Sequence, residues 1–226
     1  MTKPIIVFDL DGTLVETAPD LLDSLNHCLA IAKMNAVDEV ALRRYVGMGG
    51  QVMIERAFAA QNARLAEEVL AELLVEFLDH YTANIPGRSL LFPGVEEAMS
   101  RFENAGFALA VCTNKFESLS RRLLEGLGVA HRFAAICGAD TFDHRKPDPR
   151  HLVETIEMAG ADRSRALMVG DSNTDIETAK RAGIPVVAVD FGYTEEHVST
   201  YEPSKVISHY DELTVELAER LIAAAQ

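Results

Sequence analysis

The chain has no tryptophan, and only three cysteines, Cys28, Cys112 and Cys137, in 226 residues. The three stand apart in apolar surroundings with no CxxC spacing, which predicts buried thiols in a reducing compartment rather than a disulfide framework. Basic residues are scarce: 21 Lys and Arg against 35 Asp and Glu give a formal net charge of −14. Binding to nucleic acid or to an anionic membrane requires a basic face, so neither is expected as a partner. No apolar run approaches the roughly 20 residues of a membrane span. The N-terminal apolar segment is cut short by Asp9 and Asp11, too short and too acidic for a secretory leader, and a cytoplasmic location is expected. The seven histidines show no HxH or HExxH spacing, which argues against zinc chemistry. Gly47-x-Gly49-Gly50 is no dinucleotide fingerprint, because a helix rather than a strand precedes it.

Hydrophobic residues make up 48% of the chain and charged residues 25%, enough for a substantial core. Pro4-Ile5-Ile6-Val7-Phe8 is apolar, β-branched and aromatic, the composition of a buried parallel strand. Further strands are expected at 108–113, 134–138, 166–170, 186–190 and 205–208. Helical spacing alternates with them at 95–105, 118–127, 150–159, 175–182 and 211–225. Gly106, Gly128, Gly160 and Gly183 stand where left-handed caps end such helices. This alternation predicts an α/β fold, a Rossmann-like doubly wound parallel sheet. Residues 17–84 break the rhythm with four helical stretches, 20–34, 39–46, 51–60 and 66–84. They predict an all-helical cap inserted into a core formed by 1–16 and 85–226, with hinges near 15–17 and 85–91.

Four polar clusters fall at the ends of four separate predicted strands: Asp9-Leu10-Asp11-Gly12-Thr13, Thr113-Asn114, Lys146-Pro147 and Gly170-Asp171-Ser172-Asn173-Thr174-Asp175. In a doubly wound sheet such ends converge on one crevice. Two carboxylates close together repel, and need a cation or a reaction to justify them. Each cluster alone has an ordinary explanation in turn or cap chemistry. The ordered set of four does not.

That ordered set resembles the haloacid dehalogenase-like superfamily of aspartate-nucleophile phosphatases, over essentially the whole chain. The resemblance implies a cap inserted after the first motif, Mg2+, and an aspartyl-phosphate intermediate. A carboxylate with an ordinary pKa of roughly 3.9 is ionised at neutral pH, so Asp9 needs no base to act as nucleophile. Asp11 is then the acid that protonates the leaving oxygen and afterwards activates water. Neighbouring carboxylates push each other's pKa values apart, which suits such a division of labour. By resemblance the metal ligands are the Asp9 and Asp171 carboxylates and the Asp11 backbone carbonyl, in keeping with the oxygen preference of Mg2+. Thr113, Asn114 and Lys146 bind the phosphoryl oxygens, and Asp175 stands behind, orienting Lys146 or a water of the metal shell.

The cap is expected to choose the substrate. The Gly47, Gly49, Gly50 and Gln51 amides open a helix and form a natural anion site. Together with the first motif and Thr113-Asn114-Lys115, the stretch 46–56 resembles the phosphoglycolate-hydrolysing branch of the superfamily. The implied substrate is a small anionic phosphorylated metabolite, 2-phosphoglycolate, with its carboxylate on the Gly47–Gln51 amides and Arg56. Rival readings on the same fold are a phosphatase for pyrophosphate or a sugar phosphate, a phosphomutase, or a silent ligand-binding protein. Dehalogenation needs neither the second aspartate nor a metal, and phosphonate chemistry has only Lys33 as a cap lysine and no supporting motif. Monomer and homodimer are both compatible with the sequence.

Overall fold

The computed structural model describes residues 2–38, 43–194 and 196–225. Its central sheet has six strands: β1 (Lys3–Phe8), β4 (Ala108–Cys112), β5 (Ala135–Cys137), β6 (Ala161–Gly170), β7 (Val186–Val189) and β8 (Lys205–Ile207). They lie in the order β5-β4-β1-β6-β7-β8, with every neighbouring pair parallel. Ile5 to Phe8 are fully buried, as a central parallel strand covered on both faces must be. Alternation divides them. Ile6 and Phe8 face the same core as Val95, Met99 and Leu123, whereas Ile5 and Val7 face Leu152, Ile156, Ile176 and Ala179.

These core residues belong to helices that follow the strands: α4 (Val95–Asn104), α5 (Glu117–Gly126), α6 (Pro149–Met158), α7 (Asn173–Ala182) and α8 (Val215–Ala224). Local signals place their ends. Asp148 caps α6 by accepting from the Arg150 amide, with Pro149 in the first turn, and Gly183 closes α7 in the left-handed conformation. Strand β6 begins five residues before the expected 166. In its first half Asp162–Arg165 is polar and half-buried to exposed, so hydrophobic patterning alone misses it.

The helical insertion comprises α1 (Ala18–Ile31), a 3-10 turn (Arg43–Met48), α2 (Gly50–Ala60) and α3 (Glu67–Asn84). The helix expected over 39–46 falls partly outside the described residues. Residues 39–42 lie outside the described residues, and 43–48 form the tighter turn, running into Gly49 at φ +90°. Helices α1 and α3 pack through Leu25, Leu29, Leu73 and Phe77, and Cys28 Sγ donates to the Leu73 carbonyl at 3.3 Å. All three cysteines are free and buried. Among the described residues no helix is long and apolar enough to cross a membrane.

The chain leaves and re-enters the sheet through an antiparallel ribbon, β2 (Val15–Glu16) against β3 (Leu90–Leu91). Asp20 locks this junction. Its carboxylate accepts from the Arg88 amide at 2.8 Å, the Ser89 amide at 2.9 Å and the Ser89 hydroxyl at 2.5 Å. It is 5% exposed, so its removal strands buried donors that water cannot reach. Asp20→Ala is expected to lower stability by about 3 kcal/mol. Asp23→Ala, which loses an exposed 2.8 Å ion pair to Arg88, is expected to cost less than about 1 kcal/mol. Urea unfolding of the two variants checks the contrast, and equal losses contradict it.

Candidate active site

The four strands that carry the polar clusters are neighbours, β5-β4-β1-β6, so their carboxyl ends form one edge. Asp9 continues β1 by one more hydrogen bond, its amide donating to the Val169 carbonyl at 2.9 Å. The chain then turns sharply: the Leu10 carbonyl accepts from the amides of Thr13, Leu14 and Val15. Gly12 sits at φ +79°, where a Cβ would lie 2.5 Å from Asp171 Oδ2. Only glycine fits both that backbone conformation and that approach. The turn aims Thr13 Oγ1 at Asp171 Oδ1, 2.9 Å away, while the Tyr193 amide donates to Asp171 Oδ2 at 2.7 Å.

Lys146 lies between two acids, its Nζ 2.9 Å from Asp9 Oδ1 and 2.6 Å from Asp175 Oδ1. The second Asp175 oxygen accepts from the Asp171 and Ser172 amides and, at 2.7 Å, from the Ser172 hydroxyl. That capping box opens α7 and leaves Asp175 fully buried and committed. Asn114 Nδ2 donates to the Lys146 carbonyl at 3.0 Å, and His151 Nδ1 accepts from the Lys146 amide at 3.2 Å. Together they hold the loop that presents the lysine.

Asp9, Asp171 and Asp175 each present an oxygen within 4.8 Å of the others. Burial raises Asp9 to about 6; Asp175 and Asp11 add to the rise, and Lys146 opposes it. Asp171 is pushed well above its ordinary value by burial, then by Asp175 and Asp9. Burial pulls Lys146 down, yet Asp175 and Asp9 more than offset this and keep it charged. The site therefore carries more negative charge than its lysine neutralises. Asp9 Oδ1 is buried and, despite the nearby ammonium, makes no well-formed hydrogen bond. A hard oxygen donor set with three carboxylates around one ammonium fits a hard divalent cation. Asp9 and Asp171 are the side chains best able to hold it: one Asp175 oxygen is paired with the Lys146 ammonium and the other accepts three hydrogen bonds, whereas each Asp171 oxygen accepts one hydrogen bond from a neutral donor.

Thr113 is buried, with its hydroxyl accepting from the Lys115 amide at 3.2 Å. Lys115, which the sequence reading placed only in a motif, proves central. Its Nζ lies 3.0 and 3.2 Å from the two Asp11 oxygens and 4.4 Å from the centre of the Tyr81 ring. Its position directly after Thr113-Asn114 was the available signal. Tyr193 gave none, since it serves Asp171 through its backbone; its hydroxyl meets Glu16 and the amides of Thr17 and Ala18. The described contacts of the expected cap residues are local. Gln51 bonds Glu55 at 2.9 Å, Arg56 is exposed over the Tyr45 ring, and Gly47 and Gly49 are exposed. Among the described contacts, none joins Gly47, Gly49, Gly50, Gln51 or Arg56 to the acids.

A doubly wound sheet interrupted by a helical insertion, with acids and a lysine at four adjacent strand ends, defines a class of hydrolase. The family model for haloacid dehalogenase-like hydrolases matches residues 6–189, and the chain belongs to this family. The phosphoglycolate phosphatase of Mesorhizobium japonicum is 67% identical over 225 residues, 100% of this chain and 99% of that protein. That of Agrobacterium fabrum is 47% identical over 221 residues, 98% and 95% of the two chains. The crystal structure of a predicted phosphoglycolate phosphatase from Haemophilus somnus 129pt is similar with a TM-score of 0.86 at 28% identity, covering 94% of this chain and 97% of that one.

The raised Asp9 pKa carries a stability consequence. Between the ordinary 3.8 and about 6 the folded state holds a proton that the unfolded state has lost, so this group's contribution falls as pH rises. In metal-free protein, Asp9→Asn is expected to be the more stable form at pH 7, by up to roughly 3 kcal/mol. The difference should vanish below about pH 4. Urea unfolding with chelator at both pH values measures it, and no gain at pH 7 contradicts this account.

Proposed function

We propose that the chain is a Mg2+-dependent phosphatase that hydrolyses 2-phosphoglycolate to glycolate and phosphate through phospho-Asp9. The observation that carries this reading is Asp9 itself: a carboxylate at a strand end, 2.9 Å from the Lys146 ammonium and with an oxygen within 4.8 Å of those of Asp171 and Asp175. The 67% identity to a phosphoglycolate phosphatase along the full chain supports the substrate.

An Asp9 carboxylate oxygen attacks phosphorus and the bond from phosphorus to the glycolate oxygen breaks. Asp11 gives its proton to that leaving oxygen. It then takes one from the water that attacks the phosphoryl group, releasing phosphate and restoring Asp9. Lys146, held by Asp175, meets the negative oxygens of the transferring group, and the Thr113 hydroxyl and Asn114 amide bind the others. Mg2+, held by the Asp9 and Asp171 carboxylates and the Asp11 carbonyl, offsets the charge between attacking carboxylate and phosphate when bound. Residues 17–84 act as a cap over the core formed by 1–16 and 85–226, excluding water during transfer. The three buried free thiols suit the reducing cytoplasm.

The test is kcat/KM for 2-phosphoglycolate, pyrophosphate and a hexose phosphate, with Mg2+ and with chelator. The expected result is at least about a tenfold preference for 2-phosphoglycolate, lost with chelator. Asp9→Asn should lower kcat by at least about a thousandfold. A preference for either other substrate overturns the specificity, and turnover without a divalent cation overturns the mechanism.

A further inference from the structure

The substrate proposed above carries a second negative charge, a carboxylate, and the described contacts place no expected cap residue beside the acids to receive it. We infer that Lys115 of the core and Tyr81 of the cap together bind that carboxylate. This deepens the proposed function and rests on it. Covalent structure supplies the first argument. In 2-phosphoglycolate a single methylene separates the carboxylate carbon from the leaving oxygen. A group that lies beside Asp11, the residue that serves that oxygen, therefore also lies beside the carboxylate. Lys115 Nζ is that group, 3.0 Å from Asp11 Oδ1.

Three other cations of the described residues have partners of their own. Lys146 stands between Asp9 and Asp175, Arg43 pairs with Glu16 and lies over Tyr193, and Arg56 lies over Tyr45. Lys115 has no acid other than Asp11 among the described ion pairs, and a side chain only 6% exposed, so a carboxylate arriving there meets a desolvated charge.

Tyr81 supplies the independent observation. It is 1% exposed, and its hydroxyl is buried with only the Lys115 ammonium, itself a donor, close to it, so the O–H has no acceptor among the described contacts. A buried O–H without an acceptor is costly, and native structures rarely keep one without a use. Its ring face lies 4.4 Å from Lys115 Nζ, which brings an orphan O–H donor and an ammonium to the same place. A carboxylate has two oxygens, and the pair offers one charged and one neutral donor for them. One donor comes from α3 of the cap and the other from the loop after β4, so the bound carboxylate ties cap to core. In its absence Lys115 turns to Asp11; when the substrate draws it away, the Asp11 oxygens are free to face the leaving group.

The experiment compares 2-phosphoglycolate with 2-hydroxyethyl phosphate, which keeps the leaving alkoxide and replaces the carboxylate with a neutral hydroxymethyl. The readout is the ratio of kcat/KM for the two in wild type, Tyr81→Phe and Lys115→Met, so losses common to both substrates cancel. The expected wild-type ratio favours 2-phosphoglycolate. Tyr81→Phe lowers it about tenfold and Lys115→Met about a hundredfold, with the change carried mainly in KM. Tyr81→Phe removes a single oxygen and guards against a misfolded Lys115→Met, and near-ultraviolet circular dichroism reports the fold of each. The wild-type ratio in folded variants, or a wild type that does not discriminate, overturns the inference and leaves the phosphatase standing. A wild type that turns over neither substrate with Mg2+ overturns the phosphatase reading, and this inference with it.

Discussion

Mutual repulsion among the carboxylates at the sheet edge governs this molecule. Two unit charges 4 Å apart at an effective dielectric of about 20 repel by roughly 4 kcal/mol, and Asp9, Asp171 and Asp175 lie within 4.8 Å of one another. Nothing in a small fold offsets that unless every acid has a partner. Lys146 meets two of them, Thr13 and the Tyr193 amide meet Asp171, and the α7 cap absorbs Asp175. Asp9 shares its one cation with Asp175, and its pKa stays raised. The same imbalance that makes the metal-free site costly gives it a use for a cation and a reactive oxygen.

Two lysines divide the site. Lys146 faces Asp9 and is fixed by Asp175, Asn114 and His151. Lys115 faces Asp11 and the cap, with Tyr81 beside it. The first lysine joins two of the clustered acids, and the second joins Asp11 to the Tyr81 ring of the helical insertion. That junction is tied twice more, by Asp20 to the returning strand and by Tyr193 to Glu16. Tyr193 therefore touches the hinge with its hydroxyl and Asp171 with its amide, so the cap's root and a candidate metal ligand share one residue.

Much of the fold was legible in the residues. Ile5–Phe8 announces a buried strand through composition alone, and Gly183 stands where it closes its helix in the left-handed conformation. The acids at strand ends were legible because the residues before them are unmistakably β. Pairings that depend on three-dimensional closure were not. Lys115 with Asp11 spans 104 positions, and Tyr193 with Asp171 works through a backbone amide that any residue possesses. The β2–β3 ribbon has two residues per strand, too few for an alternating pattern. The glycine-rich segment around Gly49 reads as an anion-binding helix start. Whether such a start meets the active site depends on how the cap packs, which local sequence does not encode.

The central claim is that Asp9 takes phosphorus onto itself. Rapid acid quench of the Mg2+-loaded enzyme turning over 32P-labelled 2-phosphoglycolate, followed by borohydride reduction and peptide mass analysis, tests it most directly. The account predicts label on the enzyme during turnover and reduction of an acyl phosphate at Asp9, leaving homoserine at that position. Label on another residue, or steady turnover with none on the protein under conditions that capture an acyl phosphate control, contradicts it.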